Sequence, residues 1–134
     1  MSFPSRTEYE QLVYSLQESH PRVVSSPLRL YSTSALTAVV EGELTLSTGL
    51  MLRVFEVLDF KARRIRNYSY AVYREGVKIC WYDAQPHPEI PKLATTFPHH
   101  LHEEPDIKHN RHPAPGISFE SPNLLQLVED FLRL

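Results

Sequence analysis

Apolar residues along this chain recur first with a helical period, then with a period of two, and again with a helical period at the end. Tyr9, Leu12, Val13 and Leu16 fall at i, i+3, i+4 and i+7, which predicts a helix over residues 6–18. Ser5 and Glu8 have capping-box spacing before it, and His20-Pro21 ends it. From Val23 the period is two. Leu28 and Leu30 mark a short strand. Val40, Gly42, Leu44 and Leu46 share one face of a second, and Ser47-Thr48-Gly49 turns the chain. Leu50, Leu52, Val54, Leu58 and Phe60 share one face of a third strand. Arg64, Arg66, Tyr68, Tyr70 and Val72 alternate with Ile65, Asn67, Ser69, Ala71 and Tyr73. After the Glu75-Gly76 turn, Val77, Ile79, Trp81 and Asp83 alternate with Lys78, Cys80 and Tyr82. Ser121 and Pro122 then open a helix over 122–133 with the stripe Leu124, Leu125, Val128, Phe131 and Leu132. The expected fold is α+β: an antiparallel meander sheet of about five to six strands, flanked by an N-terminal and a C-terminal helix.

One residue breaks the pattern. Glu56 falls on the leucine face of the third strand, where a lone carboxylate is costly unless paired, solvated or protonated. A bulge would instead turn it outward, and the sequence leaves both outcomes open. If the strands pair in order, Glu56, Tyr68 or Tyr70, and Asp83 sit across three adjacent strands. Register decides whether they meet.

Composition narrows the setting. A length of 134 residues fits one domain, 1–134, and one cysteine, Cys80, excludes an internal disulfide. A formal charge of −2 gives no whole-chain attraction to nucleic acid. The segment Arg53–Lys78 is locally basic, and with its tyrosines it could hold a phosphate backbone and stack bases. A solvated face offset by acids elsewhere is the alternative. The residues after Met1 do not read as a secretory signal, and no apolar run approaches ~18 residues. The expectation is a soluble, cytoplasmic protein with no membrane partner.

The candidate chemistry lies between Trp81 and His102. This stretch holds Asp83, Glu89, four prolines, and His87, His99, His100 and His102 out of seven histidines. Its prolines predict neither helix nor central strand, and the polar run from His102 to Gly116 predicts an extended surface connection. Three readings of the histidines compete. The pair His100 and His102 could bind a metal, with Asp83 or His87 completing the site. Glu56, Tyr68, Tyr70, Arg66 and the loop histidines supply the residue types for metal-free RNA cleavage. Or the histidines only fasten the proline loop to the sheet.

At this point the order of residues resembles a known family. Tyr68-Ser-Tyr70, a glycine turn, Tyr82-Asp83, Pro86-His-Pro-Glu-Ile90 and Thr96-Phe-Pro-His-His-Leu-His102 resemble the TumE-like family, over roughly Gly42 to His102. The resemblance implies a toxin of a type II toxin–antitoxin system with a helix-turn-helix antitoxin partner. RNA is the target class, a homodimer is also open, and no cofactor is required. A metal-independent endoribonuclease is the expected activity, against a non-catalytic interaction protein or a histidine-loop metal-binding hydrolase. The site residues carried over are Glu56, Tyr68, Tyr70, Asp83, His87, His99, His100 and His102, with Arg64 and Arg66 as RNA contacts. The chain departs from the family pattern at Trp81 and Ala84, where that pattern has Arg and Asn, and at His87, which stands alone. The missing Arg removes a candidate phosphate clamp.

Overall fold

In the computed structural model, which describes residues 3–133, the chain opens on the capping box its spacing predicts. Ser5 Oγ accepts from the Glu8 amide at 3.2 Å, and Glu8 Oε1 accepts from the Ser5 amide at 2.9 Å. Helix α1 (Arg6–Tyr14) follows and buries Tyr9 and Val13. The expected helix over 6–18 breaks at Ser15, whose φ of −104° and ψ of 5° separate α1 from a single turn, α2 (Leu16–Ser19). Leu16 is buried beyond the break, and the Tyr14 hydroxyl accepts from the Leu30 amide at 2.9 Å.

The strands are β1 (Val23–Ser25), β2 (Arg29–Ser32), β3 (Thr37–Leu46), β4 (Leu50–Asp59), β5 (Arg64–Arg74), β6 (Val77–Asp83), β7 (His100–Glu103) and β8 (Arg111–Pro113). They form one antiparallel sheet in the order β1-β3-β4-β5-β6-β7-β8, with β2 also paired to β3. The α+β expectation holds, but the sheet has eight strands rather than five to six. The additional ones are short. Strand β7 reads His-Leu-His-Glu, and a single apolar residue leaves no period-two signal. Strand β8 ends in Pro113, which an edge position tolerates. The stretch from Trp81 to His102 is therefore not one loop. Its ends lie in β6 and β7, and Pro91–Thr96 is a 3-10 helix with proline in its first turn. The expected connection from His102 to Gly116 likewise contains β8.

Cross-strand partners share a face, so the register fixes what meets what. Val40 pairs with Glu56, Glu56 with Tyr68, Val54 with Tyr70, and Tyr70 with Tyr82. These residues are all buried, on the face that also carries Leu52, Leu58 and Val72. Helix α3 (Leu124–Leu132) buries Leu124, Leu127, Val128, Phe131 and Leu132, and the Tyr82 ring meets Phe131 edge-on. The helix begins two residues later than expected, and Leu125, expected on its inner stripe, points outward. Among the described residues, no helix is long and apolar enough to cross a membrane.

Gly42 marks a close approach. Its φ is +143°, and an added Cβ would lie 3.0 Å from both the Leu28 Cα and the Pro27 carbonyl oxygen. Both neighbours are backbone and cannot swing aside. Gly42→Ala is expected to destabilise the fold by about 1–3 kcal/mol, the cost of a strained backbone well. Urea unfolding should show a lower midpoint at an unchanged slope.

Candidate functional site

The histidine region forms two clusters, because β-strand neighbours point to opposite faces. On the core face, Glu56 is fully buried, and the bulge that would have turned it outward does not occur there. The Tyr9 hydroxyl donates to Glu56 Oε1 at 2.7 Å, and the Tyr70 hydroxyl donates to Oε2. Asn123 Nδ2 donates to the Tyr70 oxygen at 3.0 Å. Loss of water raises the Glu56 pKa, against the two tyrosine hydrogen bonds that favour its charged form. Burial first, and then the Glu56 charge, pushes Tyr9 and Tyr70 upward. Among the described residues, the hydrogen-bond partners of Glu56 are these tyrosines and no histidine. The link is indirect: Tyr68 stacks on Tyr70 at 4.8 Å, and its hydroxyl meets His99 Nδ1 at 2.6 Å. His99 also packs on Phe119 at 4.6 Å, and burial lowers its pKa.

The opposite face carries the second cluster. Asp83 pairs with His100, and Trp81 with His102, across β6 and β7. Asp83 therefore does not share a face with Glu56 and the tyrosines, although all three strands are adjacent as expected. Asp83 Oδ1 lies 3.4 Å from His100 Nε2, and Oδ2 lies 3.4 Å from His102 Nε2. The two Nε2 atoms are 3.0 Å apart. His100 Nδ1 meets the Pro98 carbonyl at 3.2 Å, while His102 Nδ1 is buried and, among the described residues, makes no well-aligned hydrogen bond. Burial lowers the His102 pKa first, and the nearby His100 adds to it. Asp83 and the Ile107 backbone oppose the shift. Trp81 stacks on His102 at 4.5 Å. His87 packs edge-on against His100 at 5.0 Å, with its Nδ1 3.2 Å from Glu89 Oε1.

A cleft of about 410 Å³ opens where β5 begins and β6 ends, lined by Arg66, Asn67, Tyr68, Trp81, Asp83 and Phe119. It touches both clusters, through Tyr68 from one face and Asp83 from the other. Arg66 is the extra residue of a bulge in β5, between the Asn67–Val57 and Ile65–Leu58 pairs. Such a bulge re-aims a side chain, here toward the cleft. Arg66 Nε is also 2.6 Å from Asp59 Oδ2. Arg64 lies over the Phe119 ring at 4.9 Å, beside this wall of the cleft but not in its lining. Part of the basic excess of Arg53–Lys78 is neutralised in the fold, since Arg53 pairs with Glu43 at 3.0 Å and Arg66 with Asp59.

The comparison with known families can now be placed on this geometry. A family model described as toxin TumE matches residues 12–134. The chain belongs to that family. No curated protein and no solved structure matches it. The TumE match extends past the Gly42–His102 stretch to take in β8 and helix α3. The family is one of toxins, and a toxin family implies, in general, an antitoxin partner.

Three residues of the site carried no sequence signal of their own. Tyr9 read as one member of a helical stripe, yet it donates to Glu56. Asn123 precedes α3 but does not cap it; its amide serves Ser118 and Tyr70 instead. Phe119, in the segment before α3, packs against both Tyr68 and His99. A buried asparagine 53 residues from its tyrosine is a contact only the tertiary fold can reveal.

Proposed function

We infer that this TumE toxin acts by cleaving RNA, with the phosphodiester held in the cleft where β5 begins and β6 ends. The observation that carries this reading is convergence. A cation (Arg66), two aromatic faces (Trp81, Phe119) and a histidine-backed carboxylate (Asp83) line one opening. Bases stack on aromatic rings, and a guanidinium meets phosphate oxygens. The Tyr68–His99 pair sets a proton donor and a proton acceptor in contact at the inner wall. Cleavage by the ribose 2′-hydroxyl needs such groups: one takes the 2′ proton, and another protonates the leaving 5′-oxygen. Arg66, with Arg64 beside the cleft wall, would meet the charge gathering on the phosphate. Glu56 has no part in proton transfer on this reading. It is a buried acid that braces Tyr70, and through the ring stack Tyr68. The helix-turn-helix character of the antitoxin belongs to the same proposal and rests on the family resemblance.

The test uses the purified chain, an RNA pool, and the same oligonucleotides with 2′-deoxy sugars. Cleavage of RNA leaving 2′,3′-cyclic phosphate ends, with the deoxy strands intact, is the expected result. Arg66→Ala should lower the rate by ~10–100-fold, the worth of one hydrogen bond to a charged group. RNA left intact under all conditions would sink the reading. It would favour a non-catalytic interaction protein, for which the near-complete burial of His99, His100 and His102 is the supporting observation.

A further inference from the structure

We propose that Asp83, His100 and His102 form a binding site for one zinc-like divalent transition-metal ion. Among the described residues, their ligand atoms form a group lying within 4.8 Å of one another. The separations are more telling than that limit: the two Nε2 atoms are 3.0 Å apart, and each lies 3.4 Å from its own Asp83 oxygen, His100 from Oδ1 and His102 from Oδ2. An ion about 2.0–2.1 Å from each of two tetrahedral ligands holds those ligands about 3.3–3.4 Å apart. Each imidazole–carboxylate separation therefore already matches one edge of a tetrahedral site, with the Asp83 carboxylate facing both rings.

The chemistry of the donors selects the ion. Two imidazole nitrogens and one carboxylate oxygen suit zinc, cobalt or iron, and disfavour magnesium and calcium, which take oxygen ligands. The tautomer is set as a ligand needs it. His100 Nδ1 faces the Pro98 carbonyl and carries the proton toward it, leaving a lone pair on Nε2. The two Nε2 atoms point at each other across 3.0 Å. Without an ion a single proton must serve both, with Asp83 alongside. A divalent ion between them satisfies all three groups at once and leaves His102 Nδ1 to carry its own proton. The strands supply the rigidity, since His100 and His102 are alternate residues of β7 and Asp83 is the strand partner of His100. Trp81 stacked on His102 and His87 packed on His100 hold the rings in place.

His87 and Glu89 engage each other rather than this group. The protein thus offers three ligands and leaves a fourth position open, the arrangement of catalytic rather than structural zinc sites. Asp83 lines the cleft, so a phosphate oxygen is the class of ligand for that open position. The ion's role rests on the RNA-cleaving reading above, but its binding does not.

The experiment is direct metal titration of the untagged full chain after chelator treatment, followed by calorimetry with Zn²⁺ and by visible absorption with Co²⁺. One ion per chain, a four-coordinate cobalt spectrum and a zinc-dependent rise in Tm are expected, with no binding of Mg²⁺. Asp83→Ala and His102→Ala should weaken binding by about 100-fold or more, while His109→Ala on the surface should not. Asp83→Asn keeps the side chain's shape and serves if an alanine variant fails to fold. Absence of a bound ion would overturn the proposal, as would affinity unchanged in Asp83→Asn. A chain that binds the ion but leaves RNA intact would sink the RNA reading and keep the site. One that cleaves RNA after chelation and binds no ion would do the reverse.

Discussion

Asp83→Ala is expected to end growth arrest while leaving a soluble, folded protein. The carboxylate sits at the last residue of β6, at the mouth of the cleft and away from the buried face. Its polar partners are His100, His102 and the Gln85 amide. Removing it leaves two imidazoles that are stable without charge, so no buried ion is stranded. The lost turn contact should cost about 1 kcal/mol. The chemistry loses more. Whether the carboxylate orients the histidines or shares an ion with them, its removal leaves both Nε2 atoms without their common partner, and losing such a group costs roughly 10–100-fold in activity. Colony formation under induced expression, beside a circular dichroism melt of the purified variant, separates the two effects. Continued arrest by a folded Asp83→Ala protein would move the toxic activity off this site.

Glu56 is expected to behave in the opposite way, governing stability. Glu56→Ala removes the acceptor for Tyr9 and Tyr70 in a dry core and opens a hole between α1 and the sheet. A cavity together with two unsatisfied hydroxyls should cost about 3–5 kcal/mol, a large share of the 5–15 kcal/mol that holds a domain together. Insoluble expression is the expected result. Glu56→Gln keeps the volume. Its oxygen can accept from Tyr70, and its amide can donate to the Tyr9 oxygen, so the cost should stay within about 1 kcal/mol.

The two forms should also differ in pH dependence. Burial raises the Glu56 pKa above its ordinary value of 4.5, so the folded chain holds this proton where the unfolded chain has released it. Its contribution is fully present below the unfolded pKa and is lost as pH rises through the raised folded pKa. Asp59, lowered first by the Ala62 amide and then by Arg66, contributes with the opposite sign, but equally in both proteins. Stability of wild type minus Glu56→Gln, from urea unfolding, should therefore fall as pH rises from 4 toward neutrality. A flat difference would mean that Glu56 ionises in the core without cost.

Much of this architecture is legible along the chain, and the illegible parts share a cause. The capping box at Ser5 and Glu8 and the long strands β3 to β6 follow from local pattern, which also put Glu56 on the leucine face but left a bulge open there. The opposite parity of Asp83 and Tyr82 within β6 follows from it too. What local period cannot supply is the phase between strands. Placing Asp83 with His100 and away from Tyr70 requires the register of β6 against both neighbours. Strand β7 was hidden for a different reason: the positions that would have signalled it hold histidines. Asn123 and Tyr9 reach Tyr70 and Glu56 across long separations, and no spacing in the sequence encodes that.

His99 and His100 are consecutive, yet one joins the tyrosine stack and the other the carboxylate cluster. A one-residue insertion or deletion within β7 would exchange their surroundings and send each ring to the wrong side. The segment that precedes them, from Gln85 to Thr95, does not set that register, because its length does not enter the pairing of Asp83 with His100. A change of length there leaves the register of β7 intact so long as His87 still reaches His100, whereas the four residues of β7 tolerate replacement but not a change of number.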